Sequence, residues 1–255
     1  MKIVALIPAR IASTRLPGKM LLDRTGRALV VHVLEAVRRA GRVDAVVVAA
    51  DDDRILEAVR AAGGQAVMTR VDHRCGTDRL AEAAEILRLA DDDVVVNVQG
   101  DEPDMPADCI DRLVELMLRS DVPMATLATP LAADKADDPN RVKVVLAASG
   151  NALYFSRSKI PFDRDRTGQT RHLLHLGIYA YRVGFLKRFT KLPATPAEES
   201  EKLEQLRALE HGFAIRVAVV DYAGGGIDTP EDYEAFVRRV GTQSDRLGRN
   251  RGCRA

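Results

Sequence analysis

Residues 2–19 of the chain, KIVALIPARIASTRLPGK, set its fold class. The run Lys2–Ile7 is short, apolar and rich in β-branched side chains, and Pro8 is predicted to end it. Such a run predicts a buried β-strand. The residues after Pro8 predict a loop that carries three cations within ten positions, Arg10, Arg15 and Lys19. The chain therefore opens with a buried strand that leads directly into a basic loop.

Strand-like and helical patterns then alternate through the first half of the chain. Nearly continuous apolar strands separated by amphipathic helices are typical of a parallel sheet that is covered on both faces. Topology rules favour right-handed crossovers, so we predict an α/β fold with a doubly wound, mostly parallel sheet. Ligands bind such sheets at the carboxyl ends of the strands. The predicted strands are Ala45–Ala50, Gln65–Met68 and Val94–Val98, and the predicted helices are Ala28–Arg39, Asp51–Ala62, Thr77–Ala90 and Pro106–Leu118.

The second half of the chain is richer in strands. We find no long linker, so we predict a single domain over residues 1–241, with a β-rich part at roughly 124–182. Residues 242–255 predict a basic C-terminal tail, which we expect to be flexible. The predicted strands here are Met124–Leu131, Val142–Leu146, Leu153–Ser156, Leu176–Arg182 and Ile215–Val220, and the predicted helices are Glu198–Glu210 and Pro230–Val240.

The composition excludes several classes of protein. The chain has 255 residues, and its 38 Lys and Arg against 37 Asp and Glu give a formal net charge of +1. This balance lacks the excess of positive charge that is typical of proteins that bind nucleic acid. Its three cysteines, Cys75, Cys109 and Cys253, are odd in number and widely spaced, which argues against a disulfide framework or a zinc site. No apolar run approaches the ~18 residues of a membrane span. We therefore predict a cytoplasmic protein with neither a nucleic-acid nor a membrane partner.

The basic loop after the first strand predicts an anion site. Backbone N–H groups and fixed cations at the end of a buried strand offset the charge of a polyphosphate, and arginine grips phosphate oxygens through paired bonds. The alternative is a solvated basic loop. The chain contains neither the GxxxxGK[ST] loop of P-loop proteins nor a GxGxxG turn after its first strand, which argues against a P-loop ATPase and a dinucleotide-binding dehydrogenase.

Acidic residues follow the fourth predicted strand. Asp101 and Glu102 come after Asn97-Val98-Gln99-Gly100, and a hard cation such as Mg²⁺ would compensate carboxylates placed there. Gly100 would let the backbone approach a ligand closely. The alternative, which we favour for Glu102, is an acidic N-terminal cap of the next helix. Asp228 precedes Thr229-Pro230, where the pattern by itself favours a helix cap formed by Asp228 or Thr229.

Eight segments in a fixed order carry a resemblance to a known family. The chain resembles the 3-deoxy-manno-octulosonate cytidylyltransferases, the CMP-Kdo synthetases of lipopolysaccharide biosynthesis, through roughly residues 2–240. A single motif of this kind would be weak evidence of a family relationship, but eight motifs in the same order make chance agreement improbable. The segments are IPARIASTRLPGKML (7–21), DHRCGTDRLAE (72–82), VNVQGDEP (96–103), NRVKVVL (140–146), LYFSRSKIPFDRDR (153–166), HLGIYAYR (175–182), LEQLRALE (203–210) and GIDTPEDYE (226–234).

The resemblance implies an α/β nucleotidyltransferase that joins CTP and Kdo to give CMP-Kdo and pyrophosphate. It implies a homodimer formed through the β-rich part, and Mg²⁺ held by Asp101 and Asp228, which replaces the capping interpretation of Asp228. Family members commonly have Ser where this chain has Cys75, so the hydrogen bond at that position is expected to be weaker. The implied catalytic residues are Arg15, Lys19, Asp101 and Asp228; the implied nucleotide-binding residues are Pro8, Ala9, Arg10, Arg15, Lys19, Arg74, Cys75, Gly76 and Gln99; the implied sugar-binding residues are Arg157, His175, Tyr179, Glu204 and Gln205.

Two alternatives to this function remain open from the sequence. A related enzyme could act on another sugar acid, such as sialic acid or 8-amino-Kdo, because these substrates share a carboxylate and an anomeric hydroxyl. A non-catalytic protein could retain the fold and sense CTP. The joint presence of Arg15, Lys19, Asp101 and Asp228 argues against the sensor, since binding without catalysis does not require the two carboxylates.

Overall fold

A mixed sheet forms the centre of the molecule. The computed structural model describes residues 1–13, 15–222 and 225–251, with the backbone only for 243–251. Its strands, in chain order, are β1 Ile3–Ala9, β2 Ala45–Ala50, β3 Gln65–Met68, β4 Val94–Asn97, β5 Met124–Leu131, β6 Lys143–Leu146, β7 Ala152–Ser156, β8 His172–Arg182 and β9 Ile215–Val219.

The main path of the sheet has the order β3-β2-β1-β4-β8-β5-β9. The pairs β2–β3, β1–β2, β1–β4 and β5–β9 are parallel, whereas β8 is antiparallel to both β4 and β5. Along this path every strand except β8 therefore points the same way. Strands β6 and β7 form an antiparallel hairpin beside β8.

Helices cover both faces of the sheet, which confirms the predicted doubly wound α/β class. One core joins a sheet face to α1, α2 and α4, and the other joins the opposite face to α3, α5 and α7. The helices are α1 Leu29–Val37, α2 Asp53–Ala61, α3 Gly76–Ile86, α4 Ala107–Leu118, α5 Val183–Phe189, α6 Pro196–Glu201, α7 Gln205–Glu210 and α8 Pro230–Arg251.

Burial on both faces explains the unbroken apolar run of β1. Ala5 and Ile7 face one core while Val4 and Leu6 face the other, and all four are at most 4% exposed. The prediction that Pro8 ends the strand is wrong, because β1 continues to Ala9. β4 has already ended at Asn97, opposite Leu6, so the missing N–H of Pro8 removes no β1–β4 bond.

Two other segments differ from the sequence prediction. The single helix predicted at 198–210 is two helices, because Lys202 has the left-handed angles φ 53° and ψ 46°, which a continuous helix does not tolerate. The sequence analysis also missed α5, a seven-residue helix that follows β8 directly.

The C-terminal helix extends beyond the predicted domain end. α8 continues to Arg251, through most of the segment predicted as a tail, and residues 252–255, with Cys253, lie outside the described part of the chain. The domain limits and the flexibility of the tail stay predictions. Within the described residues, no helix is both long enough and apolar enough to cross a membrane.

Candidate active site

A polar cleft lies at the carboxyl ends of β1 and β4, the neighbouring strands where the order of the parallel sheet reverses. This is the position at which doubly wound sheets bind ligands. The cleft has a volume of about 320 Å³. It is lined by Pro8, Arg10, Ser13, Arg15, Lys19, Met20, His73, Arg74, Cys75, Gly76, Arg79, Gln99, Gly100, Asp101 and Asp228.

This lining contains every residue that the sequence analysis assigned to the nucleotide or the metal, except Ala9, which is buried in β1. Residues from four separate segments, which follow β1, β3, β4 and β9 in the chain, thus meet in one place. The sequence analysis did not assign Ser13, Met20, His73 or Arg79 to the cleft. Their only sequence signal is their position in the two polar segments that also contain Arg10 and Cys75.

Lys19 lies at the centre of the charged groups in the cleft. Its Nζ donates to Asp101 Oδ2 at 2.7 Å and to Asp228 Oδ1 at 3.2 Å, and its side chain is 8% exposed. Arg15 forms a second ion pair with Asp228, with 3.0 Å between Nη2 and Oδ1. The two predicted metal ligands therefore converge on a single cationic nitrogen, although 127 positions separate them in the sequence.

The carboxylate of Asp228 does not cap α8. Thr229 precedes the first residue of the helix, its Oγ1 accepts from the Asp232 N–H at 3.2 Å, and Asp232 Oδ2 accepts from the Thr229 N–H at 2.9 Å. This reciprocal arrangement is a capping box. Because Thr229 and Asp232 complete the cap, the Asp228 side chain is available to face Lys19 and Arg15. Of the two residues that the local pattern offered as the cap, Thr229 takes that place and Asp228 does not.

Glu102 is not a helix cap either. α4 begins at Ala107 with Pro106 at the N-cap position, four residues beyond Glu102. Burial raises the pKa of Glu102 to about 7, and the neighbouring carboxylates of Asp101 and Asp228 add to the effect. The capping prediction for Glu102 is therefore wrong, and its buried carboxyl group lies close enough to the two predicted metal ligands for their charges to raise its pKa.

Gly100 is required because its backbone packs closely against other residues of the protein. A Cβ at this position would lie 2.7 Å from the Pro8 carbonyl oxygen and 3.1 Å from Met20 Sδ. The contact packs the turn after β4 against the end of β1. Gly100 thus brings the segment with Asp101 against the loop with Lys19. The expectation from the sequence was instead that this glycine lets the backbone approach a ligand.

The turn before α3 is tied to a distant carboxylate. Glu204 accepts from Thr77 Oγ1 at 2.9 Å and from Cys75 Sγ at 3.3 Å. Burial raises the pKa of Glu204, and burial together with Glu204 raises the pKa of Cys75 to about 12. Cys75 is therefore a protonated donor in the cleft wall and not an activated nucleophile.

A bulge in β8 shapes the region of the predicted sugar-binding residues. Thr126 of β5 pairs with Tyr179 but the next residue, Leu127, pairs with Leu176, so Gly177 and Ile178 are extra. The freed Gly177 carbonyl accepts from Gln99 Nε2 at 3.3 Å, which joins the bulge to the cleft. Bulges of this kind re-aim side chains beside functional sites.

His175 is neutral in this environment. Burial lowers its pKa to about 3. Its Nε2 lies 3.0 Å from Thr126 Oγ1, which also lies 2.7 Å and 3.1 Å from two carbonyl oxygens. Thr126 has a single hydroxyl proton, which it donates to one of these carbonyls. Its oxygen therefore accepts from His175 Nε2, and Nδ1 of the histidine ring is left as an acceptor. The ring packs against Tyr179, with 5.3 Å between the centroids.

Of the remaining predicted sugar-binding residues, Gln205 follows Glu204 in the chain and Arg157 contacts the backbone of residues 201 and 202 just before it. Gln205 is 5% exposed, and its buried Nε2 has no hydrogen-bond partner among the described residues. Arg157 donates to the carbonyls of Glu201, Pro139 and Lys202 at 2.7, 3.0 and 3.5 Å. The sugar-binding roles of all five residues stay predictions.

The charge of the cleft suits a polyanion that also binds a cation. Five cationic side chains line it, from Arg10, Arg15, Lys19, Arg74 and Arg79, against three carboxylates, those of Asp101 and Asp228 in the cleft and that of Asp51, which pairs with Arg79. The excess of positive charge is local, because the whole chain has a formal net charge of +1. A triphosphate is attracted by such an excess, while the carboxylates retain hard oxygen ligands for a cation.

Comparison with known proteins defines the class to which this fold and cleft belong. Residues 4–216 match the family model described as Cytidylyltransferase. That range covers most of the chain and includes every predicted site residue except Asp228. The chain belongs to the cytidylyltransferase family.

Solved structures refine this assignment. The chain is similar to a CMP:2-keto-3-deoxy-manno-octonic acid synthetase solved in complex with CTP, with 42% identity, a TM-score of 0.90, and coverage of 95% of this chain and 100% of that one. This match confirms the resemblance to the CMP-Kdo synthetases.

Two more distant structures support the fold alone. A cytidylyltransferase from Leptospira borgpetersenii serovar Hardjo-bovis (strain JB197) is 21% identical, with a TM-score of 0.62, and the match covers 93% of this chain and 85% of that one. A 4-diphosphocytidyl-2C-methyl-D-erythritol synthase is 17% identical, with a TM-score of 0.63 and coverage of 92% and 96%.

Proposed function

We propose that this protein is a CMP-Kdo synthetase, which transfers CMP from CTP to the anomeric hydroxyl of Kdo and releases pyrophosphate. The observation that carries the proposal is the convergence of Lys19, Arg15, Asp101 and Asp228 in one cleft at the ends of β1 and β4. The similarity to a CMP-Kdo synthetase over nearly the whole chain supports the choice of both substrates. The product would be the activated sugar for lipopolysaccharide biosynthesis.

The residues present fit a magnesium ion. Among the described residues, no three acidic, His or Cys side chains lie close enough to hold a metal by themselves. Mg²⁺ does not require three, because it usually keeps several waters and binds one or two carboxylates together with substrate phosphates. Asp101 and Asp228, which already share one cationic partner, would hold it. When bound, the ion would neutralise phosphate charge and increase the acidity of the attacking hydroxyl.

The basic loop would bind the triphosphate of CTP. Arg10 and Arg15 are exposed and line the cleft, so their guanidinium groups are available to pair with phosphate oxygens. The ammonium of Lys19 is fixed between two carboxylates and acts as a positioned point charge. Pro8 and Ala9, with Arg74, Cys75, Gly76 and Gln99, would bind the remainder of the nucleotide.

The sugar acid would bind beside Gln99, against the bulge of β8. The neutral ring of His175 offers an acceptor at Nδ1, and Tyr179, Glu204 and Gln205 offer groups for the sugar hydroxyls. Arg157 would pair with the sugar carboxylate through the guanidinium N–H groups that do not donate to the three carbonyls.

The transfer step needs no covalent intermediate with the enzyme. The anomeric oxygen of Kdo forms a bond to the α-phosphorus as the bond to the β-phosphate oxygen breaks, and the hydroxyl proton leaves to solvent. Pyrophosphate departs with the electron pair of the broken bond, and Arg15 and Lys19 stabilise its charge. Positioning and electrostatic stabilisation therefore account for catalysis, as in other phosphoryl transfers.

We also propose that the enzyme is a cytoplasmic homodimer. The described β-rich part exposes large apolar side chains on β7 and the loop after it, where Leu153 is 60% and Phe162 is 84% exposed. Apolar groups of this size at the surface mark an interaction site when they lie together. A second copy of the chain would cover them.

Pyrophosphate release tests the proposed function. Purified protein with Mg²⁺ is given each of the four nucleoside triphosphates together with Kdo, 8-amino-Kdo or N-acetylneuraminate. We expect release with CTP and Kdo. Pyrophosphate release with CTP and another sugar acid would support the mechanism but identify a different sugar substrate. CTP binding without pyrophosphate release for any pair would favour the CTP sensor.

A further inference from the structure

A buried ion pair lies in the wall of the nucleotide cleft, where Arg79 is one of the lining residues. Asp51 follows the last residue of β2, and Arg79 is in the first turn of α3. Their side chains are 6% and 4% exposed, and Arg79 Nη2 lies 2.8 Å from Asp51 Oδ2. Neither residue is among those assigned above to CTP, the sugar or the metal.

The pair joins four segments of the fold. Asp51 Oδ1 accepts from the backbone N–H of Ile11 at 2.8 Å, so one carboxylate oxygen binds the basic loop while the other binds Arg79. On its other side, Arg79 Nη1 donates to Thr69 Oγ1 at 2.6 Å and to the Arg70 carbonyl at 3.2 Å, just after β3. The loop after β1, the ends of β2 and β3, and the start of α3 thus share one network.

The bond to Ile11 fixes the backbone where the loop enters the cleft. Ile11 lies between Arg10 and Ser13, both of which line the cleft. The side chain of Arg10 is exposed, so the position of its guanidinium depends on where the backbone holds it. A buried ion pair by itself is weak grounds for a role in stability, because its desolvation penalty offsets its Coulomb energy. A bond from that pair to the main chain of a functional loop points instead to positioning.

We propose that Asp51 and Arg79 are positioning residues, which hold the basic loop where Arg10 and Ser13 meet the triphosphate. The choice of CTP as the ligand rests on the function proposed above. The network itself does not, since it follows from contacts within the protein. A carboxylate at position 51 is required because one oxygen accepts from Ile11 while the other accepts from Arg79. Asparagine has a single acceptor oxygen and satisfies only one of them.

Hydrogen exchange of the wild-type amides gives the first test, and it does not depend on activity. We expect the Ile11 amide to exchange slowly in the ligand-free protein, although its neighbours Arg10 and Ala12 are exposed at the surface. In Asp51→Asn, exchange at Ile11 is expected to increase while that of Val4 to Ile7 in β1 stays slow. A freely exchanging Ile11 amide in the wild-type protein would overturn the proposal.

Kinetics give the second test. In Asp51→Asn, with Arg79 intact, we expect kcat/KM for CTP to fall by about 100-fold, mainly through KM, as expected for displacement of a binding loop. The KM for the sugar acid is expected to stay near its wild-type value. The matched control is Asp52→Asn, one residue along, where the carboxylate pairs with the exposed Arg54 and asparagine keeps the helix cap.

A double variant covers the case in which a single change leaves a buried charge and prevents folding. Asp51→Leu with Arg79→Met removes both charges together, and apolar replacement of a buried pair is often neutral for stability. We expect a folded protein with a fast-exchanging Ile11 amide and weak CTP binding. A folded double variant with wild-type kinetics toward CTP, or an equal rise in KM for both substrates, would overturn the positioning role. Failure of the wild-type protein to turn over CTP would instead contradict the proposed function.

Discussion

Lys19 links the residues on which the proposed chemistry depends. Its ammonium lies within hydrogen-bond distance of Asp101 and Asp228, so two carboxylates from opposite halves of the chain are held at one point. Carboxylates this close repel each other unless a cation lies between them. The lysine supplies that cation here, and it would contact the phosphates when the nucleotide and magnesium are bound.

Replacement of Asp101 tests the role of the carboxylates. Asp101→Asn retains the shape of the side chain and removes its charge, so we expect kcat to fall by about 100- to 1000-fold while the thermal midpoint changes little. The control is Asp104→Asn, an exposed carboxylate three residues away that pairs with Arg239. Pyrophosphate release checks both variants. Near-normal turnover of Asp101→Asn would contradict the proposed metal site.

The lowered pKa of His175 predicts a pH dependence of stability. The unfolded chain protonates this histidine near its ordinary pKa of 6.5, whereas the folded protein resists protonation down to about 3. Stability from this group is therefore complete above pH 6.5 and is lost as the pH falls toward 3, at up to about 1.4 kcal/mol per pH unit.

Urea unfolding between pH 7 and pH 4 measures this effect. His175→Asn is expected to show a shallower loss of unfolding free energy with falling pH than the wild-type protein. His211→Asn, which removes a surface hydrogen bond to Pro193, is expected to keep the wild-type slope. Equal slopes for all three proteins would show that His175 is protonated normally.

Contacts between secondary-structure elements set the positions of the loops around the cleft. The turn at Gly100 packs against the carbonyl of Pro8, the Gly177 carbonyl in the β8 bulge accepts from Gln99, and Glu204 binds the first turn of α3. Each contact joins a loop after one strand to a different element. The site is therefore held by pairs of elements, and no single motif defines it.

Enlarging Gly100 tests the closest of these contacts. The added methyl group of Gly100→Ala would lie 2.7 Å from the Pro8 carbonyl oxygen, so the turn has to shift. We expect a loss of about 1–3 kcal/mol in unfolding free energy, as in other overpacked sites. Gly41→Ala is the control, because its Cβ would meet its nearest atom at an ordinary 3.6 Å. Equal denaturation midpoints for the two variants would contradict the contact.

At the scale of the whole molecule, the sheet brings distant parts of the chain together. Lys19 follows β1 and Asp228 follows β9, yet 3.2 Å separates Lys19 Nζ from the Asp228 carboxylate. The β6–β7 hairpin projects beside β8 and exposes apolar side chains. The same fold thus carries the catalytic cleft and the surface proposed for dimerisation.

Replacement of Leu153 tests the proposed dimer surface. Leu153→Asp would place an unpaired carboxylate in the interface, which costs at least about 2 kcal/mol, or roughly 30-fold in the dimer dissociation constant. Sedimentation velocity over a range of concentrations measures the change. The control is Leu118→Asp, which replaces another exposed leucine on α4, a helix that packs on the opposite face of the sheet from the hairpin. A wild-type protein that sediments as a monomer would contradict the proposal.

Local sequence patterns predicted the strands and helices of the parallel half to within a few residues, together with the loops that carry the chemistry. Buried strands have apolar residues on both faces and helices have them on one, and these patterns are local, so β2, β3 and β5 have the predicted bounds. The same local reading identified the basic loop after β1 and the acidic turn after β4. The resemblance to a family then supplied the metal-binding role proposed for Asp228, where the local pattern indicated a helix cap at Asp228 or Thr229.

Which residues meet in the cleft depends on long-range contacts that local patterns do not report. Thr229 and Asp232 complete the α8 cap and leave Asp228 facing Lys19, while Lys202 divides the predicted helix at 198–210. The network of Asp51, Arg79 and Ile11 likewise spans three separate segments. Such contacts depend on how the chain folds across tens to hundreds of residues. A pattern of neighbouring residues reports only which face of an element is buried, and it does not specify the distant partner that an element contacts.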